Sequence, residues 1–487
     1  MTDVNQLLVP AIRWDPERGY EHERQAMAEA LQLGVGGFIL FGGPQDAVRG
    51  LTRELQQRSR TPLLIGADLE RGAGQQFAGA TGLPPLAAIA SLNDADAVRR
   101  AARLTAREAR TLGVNWDYAP VCDLDVVPDN PIIGTRSLGS NPARVAELAS
   151  EWIDACQSEG VLACAKHFPG HGRTREDSHA GLPTVSASAD TLHMEDLVPF
   201  RAAIDAGVGS IMTAHVAYPS LDPTGVPATL SREILQWLLR QQLRFDGLIV
   251  TDALMMDAVR AGQSEPDAAV QALRAGCDLL LYPSDLKAVT GALDQAMRTR
   301  ALDPERVRQS VRRRLKWAQW VSPPNDYRRP SATDMGLGAQ LADRVVHVLR
   351  GHPHTIRPVI DVLVVDDDVG GPYPPPSREP FLEALRLGGA EVRRAETASG
   401  ESRASLVLAL FGDIRAWKGR PGYSDATRAA VADAYAAAAR SARDMLVVQF
   451  SHPRLASQIP EPRTVLCAWG GDSVMQQAAA RWLVKNK

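Results

Sequence analysis

Leu63-Leu64-Ile65-Gly66-Ala67-Asp68 is a short apolar run that ends on an acid, and the chain around it repeats the pattern. Upstream, Gly37-Phe38-Ile39-Leu40-Phe41 has the same build and follows a helix-forming stretch at 23–33. Runs of this length, bounded by glycine, aspartate or proline and separated by helical stretches, read as buried parallel strands in βα units. Further runs lie at 114–119, 161–166, 210–214, 248–251 and 278–282, with helical spacers such as 97–112 and 142–159. A first strand near 7–12 fills the remaining position of a (β/α)8 barrel, a fold of about 250 residues before insertions.

At 487 residues the chain exceeds what one hydrophobic core serves, so the reading is α/β with two domains: a TIM barrel over 1–320, then a smaller open sheet. Val321-Ser322-Pro323-Pro324-Asn325-Asp326-Tyr327-Arg328-Arg329-Pro330 breaks helical periodicity and marks a linker at 321–340. A second rhythm of strands at 359–365, 406–410, 445–450 and 465–469, with a helix at 425–442, predicts the open α/β sheet over 341–487. Pro372, Pro374, Pro375 and Pro376 punctuate a surface loop there.

Composition narrows the function. A net charge of -3 with pI near 6.4 offers no basic field for a polyanion, so nucleic acid is not an expected partner. No run of about eighteen apolar residues is present, and Met1-Thr2-Asp3-Val4 has no basic segment leading into an apolar one. Membrane and secretion signals are both lacking, which predicts a cytoplasmic protein. Cys122, Cys156, Cys164, Cys277 and Cys467 are odd in number and none sits in a Cys-x-x-Cys pair, so they read as reduced core thiols.

The densest chemistry is Lys166-His167-Phe168-Pro169-Gly170-His171-Gly172-Arg173-Thr174-Arg175-Glu176-Asp177-Ser178-His179. His167 and His171 have the i, i+4 spacing of helical zinc motifs, but Pro169, Gly170 and Gly172 oppose the helix such a motif needs. No metal or cofactor is expected. A loop folded over the barrel mouth fits better. In it, a carboxylate at Asp177 beside the His179 imidazole would favour the protonated ring, making His179 a general acid and then a base. Gly247-Leu248-Ile249-Val250-Thr251-Asp252 delivers a second acid to a strand's carboxyl end, where a carboxylate can attack an anomeric carbon and form a covalent glycosyl intermediate.

Several runs resemble glycoside hydrolase family 3: Lys166-His167-Phe168-Pro169-Gly170-His171-Gly172, Asp177-Ser178-His179, Val198-Pro199-Phe200, Met212-Thr213-Ala214-His215-Val216, Pro227-Ala228-Thr229-Leu230-Ser231 and Thr251-Asp252-Ala253-Leu254-Met255. The Asp-Ser-His element is similar to the β-N-acetylglucosaminidase branch, where histidine replaces the glutamate acid of the β-glucosidases. The resemblance implies Asp252 as nucleophile, His179 as acid/base and Asp177 as its orienting partner. It also implies that Asp68, Arg136, Lys166 and His167 hold sugar hydroxyls and that His215 lines the site.

The activity so implied is retaining, exo-acting removal of non-reducing terminal N-acetylglucosamine from a small-molecule or oligosaccharide substrate, in bacteria a peptidoglycan fragment. Phosphorolysis, a β-glucosidase activity and a non-catalytic sugar sensor stay open as alternatives. Two departures stand out: Arg71-Gly72-Ala73-Gly74-Gln75-Gln76 where many relatives have Gly-Gly-Arg, and Ala253 where many have a second acid. Asp123 and Asp125 read as loop caps, His171 equally as a packing residue or a sugar contact, and Arg312-Arg313-Arg314 as a solvated helix face.

Overall fold

The first expected strand is broken at Pro10, and that break closes the barrel. In the computed structural model, which describes all residues except 1–2, 179–180, 261, 322–328, 353–355, 369–375, 400–403, 416–417, 444, 461–463 and 486–487, β1 (Leu8–Val9) and β2 (Ala11–Arg13) flank this proline. A parallel sheet runs in chain order from β2 through β3 (Gly37–Phe41), β4 (Leu64–Ala67), β5 (Trp116–Asp117), β6 (Leu162–Phe168) and β7 (Ser210–Thr213) to β8 (Leu248–Val250). β1 turns instead to β9 (Leu280–Leu281), Leu8 opposite Leu280 and Val9 opposite Leu281. A bridge from Val250 to Leu279 joins β8 to this pair, so the ring closes as a (β/α)8 barrel. Pro10 has no N–H to give, but its carbonyl accepts from Ile39 N at 3.0 Å.

β4 and β6 are buried along their whole length, as strands of a parallel sheet sheathed by helices are. The sheath is amphipathic: helix Ala95–Thr111 buries Val98, Ala101, Ala102, Thr105 and Ala109 on one stripe. Helix Pro142–Ser158 starts where the Asn141 side chain accepts from Arg144 N and Pro142 occupies the first turn.

The run Arg312-Arg313-Arg314 is a correction. On helix Pro304–Val321 consecutive residues point about 100° apart, so the three cannot share a face. Only Arg312 is solvated. Arg313 reaches the fully buried Asp278 at 3.4 Å, and Arg314 is itself buried, donating to Pro62 O at 2.9 Å. Burial pushes the Asp278 carboxyl up, yet Arg240, Arg306 and Arg313 together hold it below the ordinary carboxylate value.

The second unit is a six-stranded sheet. Its strands are β10 (His347–Arg350), β11 (Val359–Asp366), β12 (Glu391–Ala395), β13 (Ser405–Phe411), β14 (Met445–Phe450) and β15 (Thr464–Cys467), in the order β10-β15-β14-β13-β11-β12. All neighbours are parallel except β10 against β15. The four strands expected from sequence are the four central ones. The missed pair, His347-Val348-Leu349-Arg350 and Glu391-Val392-Arg393-Arg394-Ala395, are the edges, whose charged residues hide the apolar signal and protect the open rims.

The units divide less simply than a cut near 320–341. The barrel unit comprises Met1–Thr81, Ala95–Val126 and Ser137–Met335, while Gly82–Asp94 and Val127–Arg136 fold with Gly336–Lys487. Both excursions go with the second unit because they complete its core: Ala88 packs in its main apolar cluster, and Gly134 sits so close to Ile414 that a Cβ would come within 2.9 Å of it. Residues 322–328 of the expected linker, and Pro372, Pro374 and Pro375, lie outside the described residues, while the later part of 321–340 forms the helix Ala332–Met335 and the start of the helix Leu337–Val345. Among the described residues no helix is long and apolar enough to cross a membrane, and all five cysteines are buried and free.

Candidate active site

Asp123 organises the barrel mouth. Fully buried just past β5, its Oδ1 accepts His167 N at 3.1 Å and His171 N at 2.6 Å, and its Oδ2 lies 2.6 Å from His167 Nδ1. Burial raises the carboxyl's proton affinity, but His167 and His171 outweigh it and keep Asp123 below its ordinary value, hence ionised. An ionised carboxylate only accepts, so His167 carries its proton on Nδ1. The other ring nitrogen, Nε2, faces Asp252 Oδ2 at 4.0 Å. The loop-cap reading of Asp123 is thereby replaced.

Asp252 stands two residues past β8, its side chain 20% exposed, with Oδ1 accepting Ala253 N at 2.7 Å. The next carbonyl is held from the other side: His215, buried past β7, lies 3.2 Å from Ala253 O through Nε2 and 2.7 Å from Thr229 Oγ1 through Nδ1. A carbonyl accepts, so Nε2 carries the proton. The Thr229 hydroxyl beside Nδ1 donates to Ala214 O at 3.1 Å, which ties this ring to the chain past β7.

Lys166, at the end of β6 and 1% exposed, places Nζ 2.8 Å from Asp68 Oδ1 and 2.7 Å from Glu70 Oε1. Asp68 remains 31% exposed while Glu70 is buried, so the pair has one solvent-facing carboxylate and one held inside. Glu70 was not among the expected site residues. Its signal was the Asp68-Leu69-Glu70 spacing past β4, where alternate residues share a face.

Cis peptides lie at Lys166-His167, within β6, and at Phe168-Pro169, where the loop after it begins. Gly172 then presses against the backbone at Leu124, where a Cβ would lie 1.8 Å from the carbonyl oxygen. Gly172→Ala is therefore expected to cost about 3 kcal/mol or more and to lower activity with it, checked by urea unfolding and turnover in parallel. Arg173 anchors the outer side by donating to Asp196 Oδ2 at 2.6 Å and pairing with Glu195.

Asp117, fully buried at the end of β5, accepts Trp152 Nε1 of the helix Pro142–Ser158 at 3.3 Å. Burial pushes its carboxyl up to about 7, with Lys166 pulling the other way. The folded value lies above the unfolded value near 3.8, so the folded state binds more protons between the two and stability falls as pH rises from about 4 to 7. Asp117→Asn removes that slope. Relative to wild type, its urea midpoint should improve steadily across this window, and a pH-independent difference would contradict the assignment.

Of the expected site residues, the barrel unit thus brings His167 and Asp252 together and pairs Lys166 with Asp68, while His215 meets the carbonyl of Ala253, the residue after Asp252. Asp177 is buried at 6% exposed, and His179 lies outside the described residues. Arg136 belongs to the second unit, in the turn Gly134–Arg136, with Nη1 3.4 Å from Ile132 O. Among the described residues no three of His, Cys, Asp or Glu are grouped as metal ligands.

Acids, an ammonium and imidazoles at the carboxyl ends of β4, β6, β7 and β8 define a (β/α)8-barrel enzyme with its site at the strand-end mouth. Residues 2–316 match the family described as "Glycosyl hydrolase family 3 N terminal domain". The chain is 32% identical over 400 residues to a β-N-acetylglucosaminidase/β-glucosidase of Cellulomonas fimi, covering 76% of this chain and 70% of that one. It is 35% identical over 296 residues to a β-hexosaminidase of Idiomarina loihiensis, covering 59% and 87%. A solved family 3 β-N-acetylglucosaminidase from Paenibacillus sp. FPU-7 superposes with TM-score 0.85 at 29% identity, over 99% of this chain and 96% of that one. The chain belongs to glycosyl hydrolase family 3, and it is a glycoside hydrolase.

Proposed function

We propose that this protein is a retaining, exo-acting β-N-acetylglucosaminidase with Asp252 as nucleophile and His179 as acid/base. In the first step Asp252 attacks the anomeric carbon while His179 protonates the leaving oxygen. In the second, His179 deprotonates water, which releases the sugar with its configuration retained. Asp177, two residues before His179, is the partner that keeps the imidazole basic.

The observation that carries the reading is the placement of Asp252: a partly exposed carboxylate at a barrel strand end, its Oδ2 opposite the Nε2 of an imidazole whose Nδ1 is fixed on Asp123. Asp68 and Lys166 supply hydrogen-bonding groups for sugar hydroxyls. The β-hexosaminidase of Idiomarina loihiensis and the β-N-acetylglucosaminidase of Paenibacillus sp. FPU-7 support N-acetylglucosamine as the preferred sugar, while the Cellulomonas fimi relative is named for both N-acetylglucosaminidase and glucosidase activity. Peptidoglycan fragments are the natural substrate class this preference suggests. Five buried free thiols fit a reducing cytoplasm.

A slow 2-fluoro or 5-fluoro glycoside, followed by peptide mapping, is expected to label Asp252, and aryl N-acetylglucosaminide should be cleaved well ahead of aryl glucoside. A label on another residue would sink the mechanism. A preference for glucoside would sink the specificity.

A further inference from the structure

The ring of His171 fastens the loop that follows β6. It is 1% exposed, with Nδ1 2.9 Å from Thr174 Oγ1 and Nε2 3.0 Å from Ser178 Oγ. The Thr174 hydroxyl also lies 3.1 Å from His171 O, an atom that can only accept, so its single proton goes there. His171 Nδ1 must then donate to Thr174, which leaves the lone pair of Nε2 to accept the Ser178 hydroxyl. Burial, and then His167, lower the ring's proton affinity to a pKa of about 4, so it stays in this neutral form at working pH.

The main chain of His171 is fixed too, by the same Asp123 oxygen that receives His167 N. One buried carboxylate therefore holds both the imidazole that faces Asp252 and the main chain of the residue whose imidazole fastens the loop. Ser178, itself 1% exposed, is the residue between Asp177 and His179.

We propose that His171 is a positioning residue for the proton-transfer step: by accepting the Ser178 hydroxyl it fixes Ser178, the residue that joins Asp177 to His179 in the chain. The proposal rests on the acid/base reading of His179 given above. It predicts a loss confined to substrates that need protonation of the leaving group, because attack by Asp252 does not pass through Ser178.

The test compares His171→Ala, Ser178→Ala, His171→Gln and His179→Ala on 2,4-dinitrophenyl and on alkyl N-acetyl-β-glucosaminides, with thermal melts of each. For His171→Ala and Ser178→Ala, kcat/KM is expected to fall roughly 10–100-fold on the alkyl substrate and less than about threefold on the dinitrophenyl one. His171→Gln, which can again accept from Ser178, should recover much of the loss. Equal losses on both substrates, or none, would overturn the proposal. Ser178→Ala removes only a hydroxyl and keeps the test valid if His171→Ala does not fold. His179→Ala separates the two readings: if it lacks the leaving-group dependence, the acid/base assignment has failed, whereas its presence there and absence from the other two refutes the clasp.

Discussion

Asp252→Asn should lower kcat on an aryl N-acetyl-β-glucosaminide by on the order of 10⁴-fold or more, because a carboxamide is too poor a nucleophile to form the glycosyl intermediate. The fold should be untouched. Asp252 makes its local bond through Oδ1 to Ala253 N, and the asparagine oxygen can accept the same N–H. The melting temperature is therefore expected within about 1 °C of wild type, a shift that corresponds to about 1 kcal/mol at an unfolding entropy of roughly 2.1 cal/mol/K per residue in a chain of this size. A variant that kept activity within tenfold of wild type would remove Asp252 from the mechanism. One that lost activity only by unfolding would leave the melt, not the kinetics, as its signature.

The second large effect falls on Asp123, which in sequence reads as a loop cap. In Asp123→Asn the new amide can still accept the two backbone N–H groups at one position, but at the other it presents a donor to His167 Nδ1. Two donors cannot share that 2.6 Å contact, so the ring proton moves to Nε2, which points at Asp252. The wrong tautomer beside Asp252, the proposed nucleophile, is expected to cost roughly 10²–10⁴-fold in kcat/KM, by the logic of catalytic triads in which Asn replaces the orienting Asp. Asp123→Ala goes further, since it leaves two N–H groups and an imidazole without their buried acceptor, and should lose about 3–5 kcal/mol of stability. If Asp123→Asn retained wild-type kcat/KM, the tautomer argument would be wrong.

The site was legible to different degrees, for physical reasons. Asp252, Lys166 and Asp68 follow apolar runs, and a strand end on one side of a parallel barrel points to the mouth whatever the remaining chain does. Asp123 ends the segment Tyr118-Ala119-Pro120-Val121-Cys122-Asp123, where β5 is only two residues long, so periodicity gave no reason to rank it above a cap. Its role came from three donors converging from residues 44 and 48 positions later in the chain. Glu70 was likewise hidden, because a buried carboxylate is tolerable only when a cation meets it, and Lys166 comes from a different strand. His171 could have packed or touched sugar. Its two hydroxyl partners, Thr174 and Ser178, decide for an internal fastening.

Local order along the chain was enough to establish the alternating strands and helices, the barrel, the core of the second sheet and the family resemblance, because apolar periodicity and contiguous motifs are properties of neighbouring residues. Tertiary structure alone decided how Pro10 splits a strand to close the ring, which excursions leave the barrel for the second unit, and which buried charges neutralise one another. Those outcomes depend on pairings between residues tens to hundreds of positions apart, and a buried charge or an unpaired strand edge has no stable state until its distant partner arrives.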